Sequence, residues 1–284
     1  MNQDILEVNK QIKLTFASGE EAIIDKEVYK LIIDLQHKAI NPKQLPFFWN
    51  LSQSLDGYSD IFLEFYKYVL SNYKLSKSQI YQDLFVLFNF NEKKNGTFLE
   101  FGATDGVEFS NSFLLENTFN WHGVLAEPSP HWHESLRRNR PDCEIIEECI
   151  YIESGKNLDF FVSDVGVLST LEKYKQSDVS SMPRNTNARN KKGYNCKVCS
   201  ISLNDVFVKY FDSSPIDYMS VDTEGSELVI LENFDFRKFG PKIISVEHNF
   251  TETENKLDDL LFKNNYIRFF KEHSQFDAWY VLQE

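Results

Sequence analysis

The sequence predicts an α/β fold, a mainly parallel sheet with crossover helices, preceded by a mostly helical N-terminal part. Three observations support this. From about residue 97 onward, short apolar runs alternate with helix-like segments, as in a chain of strand–helix–strand units. The first apolar run leads into two glycines, Gly102 and Gly106, and the second run ends in an acid, Glu127. This arrangement is typical of a nucleotide-binding sheet.

Composition narrows the classes of protein that the chain can belong to. The 284 residues are 42% hydrophobic and 15% aromatic, which excludes global disorder. The net charge of −13 and the pI near 5.0 argue against a nucleic-acid partner, which normally requires a basic face. No apolar run is long enough for a membrane span, and the start of the sequence has no secretory pattern. We therefore expect a cytoplasmic protein, with its four cysteines as free thiols.

Residues 1–75 form the predicted N-terminal appendage. Alternating residues at 11–24 predict a small hairpin, and Asp25 can cap a helix reaching about residue 39. The aromatic segment 46–73 predicts two further helices. We expect this appendage to serve packing or homodimer formation, with a role in covering the substrate as the alternative.

Residues 76–284 form the predicted main domain. A helix begins near Ser76 or Ser78 and ends near residue 89. The apolar runs then predict strands at 97–102, 123–127, 143–150, 158–162, 197–201, 216–221, 242–247, 266–271 and 277–283. Between them, the patterns predict helices at 109–118, 130–139, 203–211, 226–232 and 254–264. Residues 163–195 are polar and without period, which predicts a long irregular loop that is either mobile or functional.

The glycine spacing indicates which nucleotide the sheet binds. A dinucleotide site needs its first two glycines two residues apart, whereas Gly102 and Gly106 are separated by three residues. The acids Glu100, Asp105 and Glu127 would repel a pyrophosphate. They suit a cationic nucleoside without phosphates, and S-adenosylmethionine (SAM) fits that description. Glu127, 21 residues after Gly106, stands where such folds bind a ribose diol.

The chain from about residue 78 to the end resembles the FkbM-type family of SAM-dependent methyltransferases. The matching stretches are residues 78–83, 96–106, 110–112, 115–116, 121–128 and 216–227. The resemblance implies a Rossmann-like class I methyltransferase sheet with an antiparallel last strand. It also implies O-methyl transfer to a hydroxyl of a small molecule such as a sugar or glycan precursor. Ser220 departs from the family, which often carries Lys there.

Carried onto this sequence, the family pattern implies a cofactor site. The loop beneath the methionine moiety would consist of Gly102, Ala103, Asp105 and Gly106. Glu127, followed by Pro128, would bind both ribose hydroxyls.

Four further polar residues near the first strand are candidates for contact with the cofactor or the substrate. Glu100 lies within the strand itself, where a buried acid is costly unless it meets a cation or a donor. Ser110 and Asn111 can contact ligand or can merely cap a helix. Gln82 can reach the methionine end or can belong to an ordinary polar helix face.

The predicted catalytic residues are Asp222, Glu224, Glu247 and His248, which follow two later strands. Parallel strands bring such residues to one edge of the sheet. In one mechanism, His248 or Asp222 takes the proton of the acceptor hydroxyl. In the alternative, Asp222, Glu247 and His248 hold Mg²⁺ or Mn²⁺, which lowers the pKa of that hydroxyl.

The acceptor is predicted only by class. Basic residues within 180–193, including Arg184 and Arg189, can bind an anionic acceptor such as a nucleotide-linked sugar. A different reading is a non-catalytic interaction module that retains the methyltransferase fold and binds a partner through residues 1–75.

Overall fold

The computed structural model describes residues 5–8, 11–15, 21–25 and 60–283, the first three segments by their backbone alone. The chain divides into two compact units, Met1–Ser76 and Lys77–Glu284. In the first unit, three antiparallel strands pair in chain order, and a helix follows; they are β1 (Ile5–Val8), β2 (Gln11–Thr15), β3 (Glu21–Asp25) and α1 (Asp60–Asn72). β2 and β3 are the predicted hairpin, and β1 was not predicted. The predicted helix at 25–39 and the first helix of 46–73 lie outside the described residues.

The second unit contains most of the regular structure. Its strands are β4 (Thr97–Phe101), β5 (His122–Ala126), β6 (Glu144–Ile146), β7 (Cys149–Tyr151), β8 (Asn157–Ser163), β9 (Thr170–Leu171), β10 (Gly193–Ser202), β11 (Tyr218–Val221), β12 (Ile243–Glu247), β13 (Tyr266–Phe269) and β14 (Asp277–Leu282). Its helices are α2 (Gln82–Asn89), α3 (Phe113–Phe119), α4 (His133–Asn139), α5 (Pro183–Arg189), α6 (Leu203–Tyr210), α7 (Glu227–Glu232), α8 (Phe236–Phe239) and α9 (Thr253–Lys263). Within the described residues, no helix is long and apolar enough to cross a membrane.

A seven-stranded sheet forms the centre of this unit. Its strand order is β13-β14-β12-β11-β4-β5-β6. The neighbours from β12 to β6 are parallel, while β14 runs antiparallel to both β12 and β13. Along the chain, β4, β5 and β6 add strands in one direction across the sheet, and β11 and β12 then add strands in the opposite direction, so the strand order reverses between β4 and β11. The crevice at such a reversal is where open α/β sheets bind ligands.

The sequence of the central strands explains why they lie inside. Almost every residue of β4, β11 and β12 is buried, as expected for parallel strands covered by helices on each side. Their buried side chains include Leu99, Phe101, Met219, Val221 and Ile244 of one hydrophobic core. Burial of such side chains stabilises the sheet by about 2 kcal/mol each.

The prediction of a single strand at 143–150 is wrong. The segment forms two strands in different sheets, β6 at the edge of the large sheet and β7 in a second sheet. The second sheet has the order β7-β10-β8-β9. The sequence pattern did not reveal the break, because both strands are largely apolar and only Glu147 and Glu148 separate them.

The prediction that residues 163–195 are irregular is also wrong. They contain a 3₁₀ turn at Gly166–Leu168, then β9, a second 3₁₀ turn at Glu172–Tyr174 and α5, and they end in β10. Their stability comes from polar contacts, so apolar periodicity did not reveal them. Thr186 donates to Asp178 Oδ1 over 2.6 Å, and Arg189 pairs with the same carboxylate at 2.8 Å. We call residues 163–192 the insert.

The helix predicted to begin at Ser76 or Ser78 begins at Gln82. Ser78 Oγ instead donates to Asp83 Oδ1 over 2.6 Å, and Asp83 Oδ1 also accepts from the Leu84 N–H over 2.8 Å. Tyr81 has a left-handed backbone with φ of 71°, which separates the Ser78 turn from the helix.

Arg140 at the end of α4 fixes the loop that follows β4. It is 1% exposed, and it donates to the Gly106 carbonyl over 2.9 Å and to Ser112 Oγ over 3.0 Å. Its Nε forms a close ion pair with Glu116. One guanidinium group therefore joins the glycine loop, the start of α3 and the end of α4.

Replacing Arg140 by Met should destabilise the fold by about 2–3 kcal/mol, because it leaves the buried partners of the guanidinium without a donor. The control is Arg138→Met on the exposed side of the same helix, which should change stability little. Thermal unfolding followed by circular dichroism measures both. Equal melting temperatures for the two variants would contradict this role for Arg140.

Candidate active site

The loop after β4 lies against the end of β11. Gly102 and Gly106 both have positive φ, +84° and +78°, which side-chain-bearing residues rarely adopt. A Cβ on Gly102 would lie 2.0 Å from the Asp222 carbonyl oxygen, and one on Gly106 would lie 2.6 Å from Arg140 Cγ. Glycine is therefore required at both positions by space as well as by backbone conformation. The predicted cofactor loop and the predicted catalytic Asp222 are neighbours.

Glu127 connects this loop to the turn after β5. Its carboxylate is buried, with Oε2 accepting from the Thr104 N–H over 2.9 Å and Oε1 accepting from the Ser129 N–H over 2.8 Å. A carboxylate has about four acceptor positions, so two remain for a diol. Burial raises the pKa of Glu127 to about 7, which the two backbone donors oppose. Pro128 is half-buried and follows directly.

Asp105 shapes the loop from within. Its Oδ1 accepts from the Val107 N–H over 2.8 Å and the Glu108 N–H over 2.9 Å, which closes an Asx turn. The predicted loop residue Ala103 is buried, and its N–H donates to the Ala126 carbonyl over 3.2 Å. The loop therefore presents backbone, rather than long side chains, to the crevice.

Glu100 holds the start of α3. It is 4% exposed, and it accepts from Ser110 Oγ over 2.9 Å, from the Asn111 N–H over 2.7 Å and from Ser112 Oγ. Asn111 Nδ2 in turn donates to Ser220 Oγ over 2.9 Å. The predicted cofactor residues Glu100, Ser110 and Asn111 thus form one hydrogen-bonded group. In this arrangement Glu100 positions the turn that carries the other two.

A second acidic group lies at the ends of β11 and β12. One carboxylate oxygen from each of Asp222, Glu227 and Glu247 lies within 4.8 Å of the other two. Asp222 and Glu247 were predicted, and Glu227 was not. Glu227 is the first residue of α7, and an acid there is usually explained by the helix dipole. Its place in the series Asp222–Glu227 at a strand end was the available signal.

Hydrogen bonds fix Glu227 in this group. Its Oε1 accepts from the Thr223 N–H over 2.8 Å and from Thr223 Oγ1 over 2.9 Å. The Gly225 N–H reaches the two carboxylate oxygens at 3.0 and 3.1 Å. The turn after β11 therefore wraps around this carboxylate.

Glu224 faces the insert instead of the acidic group. Its Oε2 lies 2.5 Å from Arg189 Nη2, and Arg189 also pairs with Asp178. Burial raises the pKa of Glu224 to about 8, an effect that Arg189 opposes. Arg189 is fully buried in this ion pair. It is therefore not available for the predicted binding of an anionic acceptor.

His248 follows directly after β12 and, among the described residues, is not part of the group of possible metal ligands that Asp222, Glu227 and Glu247 form. Its ring is buried, with Nε2 3.0 Å from the Asp277 carbonyl and Nδ1 accepting from the Phe250 N–H over 3.1 Å. Burial lowers the pKa of His248. Both ring nitrogens have backbone partners, which argues against the predicted roles of this residue as base or metal ligand.

Gln82 lies beside Asp277, which pairs with Glu247 across β12 and β14. Gln82 Nε2 donates to Asp277 Oδ2 over 2.9 Å, and its Oε1 accepts from the Ile80 N–H over 3.1 Å. The structure thus places this predicted cofactor residue next to the acid-bearing strand ends. Burial raises the pKa of Asp277 to about 7.

Crowding of acids gives the site its electrostatic character. Burial raises the pKa of both Asp222 and Glu247 well above the usual range, and the neighbouring carboxylates add to the shift. The two groups face each other and can share a proton. At neutral pH this cluster therefore retains protons or takes up a cation.

The strand order, the glycine loop after β4 and the acid after β5 together define a class I methyltransferase. A family model described as the Methyltransferase FkbM domain matches residues 100–281. The chain belongs to the FkbM methyltransferase family, and it is a SAM-dependent methyltransferase. It matches no curated protein.

The chain is similar to several solved structures at low sequence identity. Precorrin-6y C5,15-methyltransferase from Geobacter metallireducens is 12% identical, with a TM-score of 0.37, and the match covers 70% of this chain and 84% of that one. A TehB-like SAM-dependent methyltransferase from Corynebacterium glutamicum is 9% identical, with a TM-score of 0.38 and coverage of 80% and 100%. Aeropyrum pernix fibrillarin with bound SAM is 9% identical, with a TM-score of 0.38 and coverage of 98% and 99%.

The raised pKa values predict an unusual dependence of stability on pH. A carboxyl whose pKa is higher in the folded chain than in the unfolded chain stabilises fully below about pH 4 and loses that contribution as pH rises through its folded pKa. For Glu127 and Asp277 that loss begins near pH 4 and is complete at about pH 7. The histidines with lowered pKa, His133, His248 and His273, change stability in the opposite direction, because each favours the folded chain more strongly as the pH rises toward the usual histidine pKa.

We expect Glu247→Gln to gain about 1–2 kcal/mol of stability relative to the wild type as the pH rises from 5 to 8. Both proteins contain the same histidines, so the difference between their stabilities reports the effect of the acids alone. Melting temperatures measured with chelator across this range test this. Glu232→Gln, on the exposed side of α7, should follow the wild type. Parallel curves for Glu247→Gln and the wild type would show that the crowding is absent.

Proposed function

We propose that this protein transfers the methyl group of SAM to a hydroxyl of a small molecule such as a sugar or glycan precursor. The observation that carries the proposal is the contact between the two halves of the site. Gly102, in the loop after β4 that we expect to bind SAM, leaves no room for a Cβ beside the Asp222 carbonyl, so this loop is in direct contact with Asp222. Glu127 has acceptor positions left for the ribose hydroxyls, as this arrangement requires.

In the proposed reaction, the acceptor oxygen attacks the methyl carbon in line with the sulfur. The new C–O bond forms as the S–C bond breaks, and its electron pair remains on sulfur to give S-adenosylhomocysteine. The hydroxyl proton passes to the Asp222–Glu247 pair. A carboxylate of ordinary pKa is a weak base, and the raised pKa of this pair makes its deprotonated form a stronger base.

The surroundings of the pair favour a neutral acceptor over an anionic one. The buried carboxylates at these strand ends would repel a phosphate or carboxylate group. Arg189 does not offset them, because Asp178 and Glu224 already occupy its guanidinium. We therefore propose an uncharged hydroxylated acceptor, in place of the anionic or nucleotide-linked sugar that the basic residues of the insert suggested.

The buried acids also weigh against a non-catalytic interaction module. Keeping Asp222 and Glu247 together in a desolvated place costs stability. A module that only binds a partner gains nothing from that cost. A local loss of stability from buried, crowded charges is typical of active sites.

Calorimetry with S-adenosylhomocysteine tests the donor half of the proposal. Wild-type protein should bind one molecule per chain, and Glu127→Gln should weaken binding about 10- to 100-fold, because the ribose hydroxyls lose a charged acceptor. Glu144→Gln, an exposed acid on β6, is the control and should bind like the wild type. The donor assignment fails if Glu127→Gln binds as well as Glu144→Gln.

Turnover with hydroxylated acceptors tests the base. Asp222→Asn should lower kcat about 10²- to 10⁴-fold while binding of S-adenosylhomocysteine is retained, since an amide cannot accept the hydroxyl proton. The activity of the wild type should rise with pH across the range in which the pair loses its proton. Unchanged kcat and pH profile in Asp222→Asn would exclude this residue as the base.

A further inference from the structure

Glu247 has an unsatisfied oxygen inside the acidic group. The residue is 8% exposed, and no N–H or hydroxyl group of the described residues donates to its Oε2. An oxygen of this carboxylate lies within 4.8 Å of oxygens from Asp222 and Glu227. A buried carboxylate oxygen without a donor is costly, so its retention points to a ligand that the site accommodates.

Within residues 61–283, no Lys, Arg or His pairs with these three acids. Among the ion pairs in residues 61–283, none includes Asp222, Glu227 or Glu247. Arg189 is held by Glu224 and Asp178. No side chain of this part of the chain therefore balances the charge of the group, which leaves a shared proton or a bound cation to do so.

We infer that Asp222, Glu227 and Glu247 bind one divalent cation of the Mg²⁺ or Mn²⁺ type. Three carboxylate oxygens are the ligands that such hard cations prefer. Glu227 is already oriented by Thr223 and Gly225, which is the support from surrounding residues that metal ligands commonly have. The ligand set differs from the one predicted from sequence, because Glu227 takes the place of His248.

The inference deepens the proposed function and rests on it for its role in catalysis. Mg²⁺ takes six ligands, so three positions remain for water and for oxygens of the acceptor. A bound cation would replace the proton that Asp222 and Glu247 otherwise share, because it lowers the pKa of both carboxylates. A hydroxyl bound there would have a lowered pKa beside the methyl donor, and its proton would pass to water. The site therefore favours acceptors that carry a second oxygen next to the reacting hydroxyl, such as a vicinal diol.

The test is titration of the full-length, chelator-treated protein with Mn²⁺, with free Mn²⁺ followed by electron paramagnetic resonance. The wild type should bind one ion per chain, Glu247→Gln should bind about 10-fold more weakly or worse, and Glu232→Gln should match the wild type. Melting temperatures provide a second readout. Without metal, Glu247→Gln should melt no lower than the wild type, and Mn²⁺ should raise the melting temperature of the wild type alone.

Absence of stoichiometric Mn²⁺ binding in the wild type, or equal binding by Glu247→Gln, would overturn the inference. If Glu247→Gln does not fold, Asp222→Asn is compared in the same way. Calorimetry with S-adenosylhomocysteine on the same sample separates the two claims. Binding of S-adenosylhomocysteine without Mn²⁺ binding rejects the cation site alone, whereas loss of both removes the proposed function as well.

Discussion

Burial of carboxylates at the ends of β11 and β12 is the constraint on which the rest of this structure depends. Asp222 and Glu247 are desolvated and close together, so each raises the pKa of the other. The neighbouring turn holds the third acid of the group, Glu227, to which the Thr223 and Gly225 N–H groups donate. An arrangement this costly persists only where the surrounding fold over-determines it.

The insert contributes to that surrounding fold. Its Thr170 Oγ1 donates to the Glu224 carbonyl over 3.0 Å, and its Arg189 pairs with the Glu224 carboxylate. A Cβ on Gly225 would lie 2.4 Å from Ser177 Oγ, so the insert packs directly on the turn after β11. The second sheet, whose strands β8 and β10 flank the insert and whose β9 lies within it, therefore helps to fix the turn after β11. A polar segment that looked like a loop is a structural support of the candidate site.

Local signals in the sequence predicted the sheet and the donor side of the site. The spacing from Gly106 to Glu127 depends only on one strand–helix–strand unit, and that unit folds as the pattern indicates. The partners of Glu224 and the orientation of His248 were not predictable in this way. Arg189 meets Glu224 across 35 positions of sequence, and no periodicity encodes that pairing. The roles of Glu227 and His248 likewise depend on tertiary contacts, since the turn after β11 holds Glu227 and both ring nitrogens of His248 meet backbone groups.

A crystal structure with S-adenosylhomocysteine tests the central claim most directly, namely that donor and acids share one crevice at the β4–β11 reversal. The account predicts the ribose hydroxyls on the Glu127 carboxylate and the sulfur directed toward Asp222 and Glu247. A molecule bound elsewhere, or a sulfur turned away from these two acids, would contradict it.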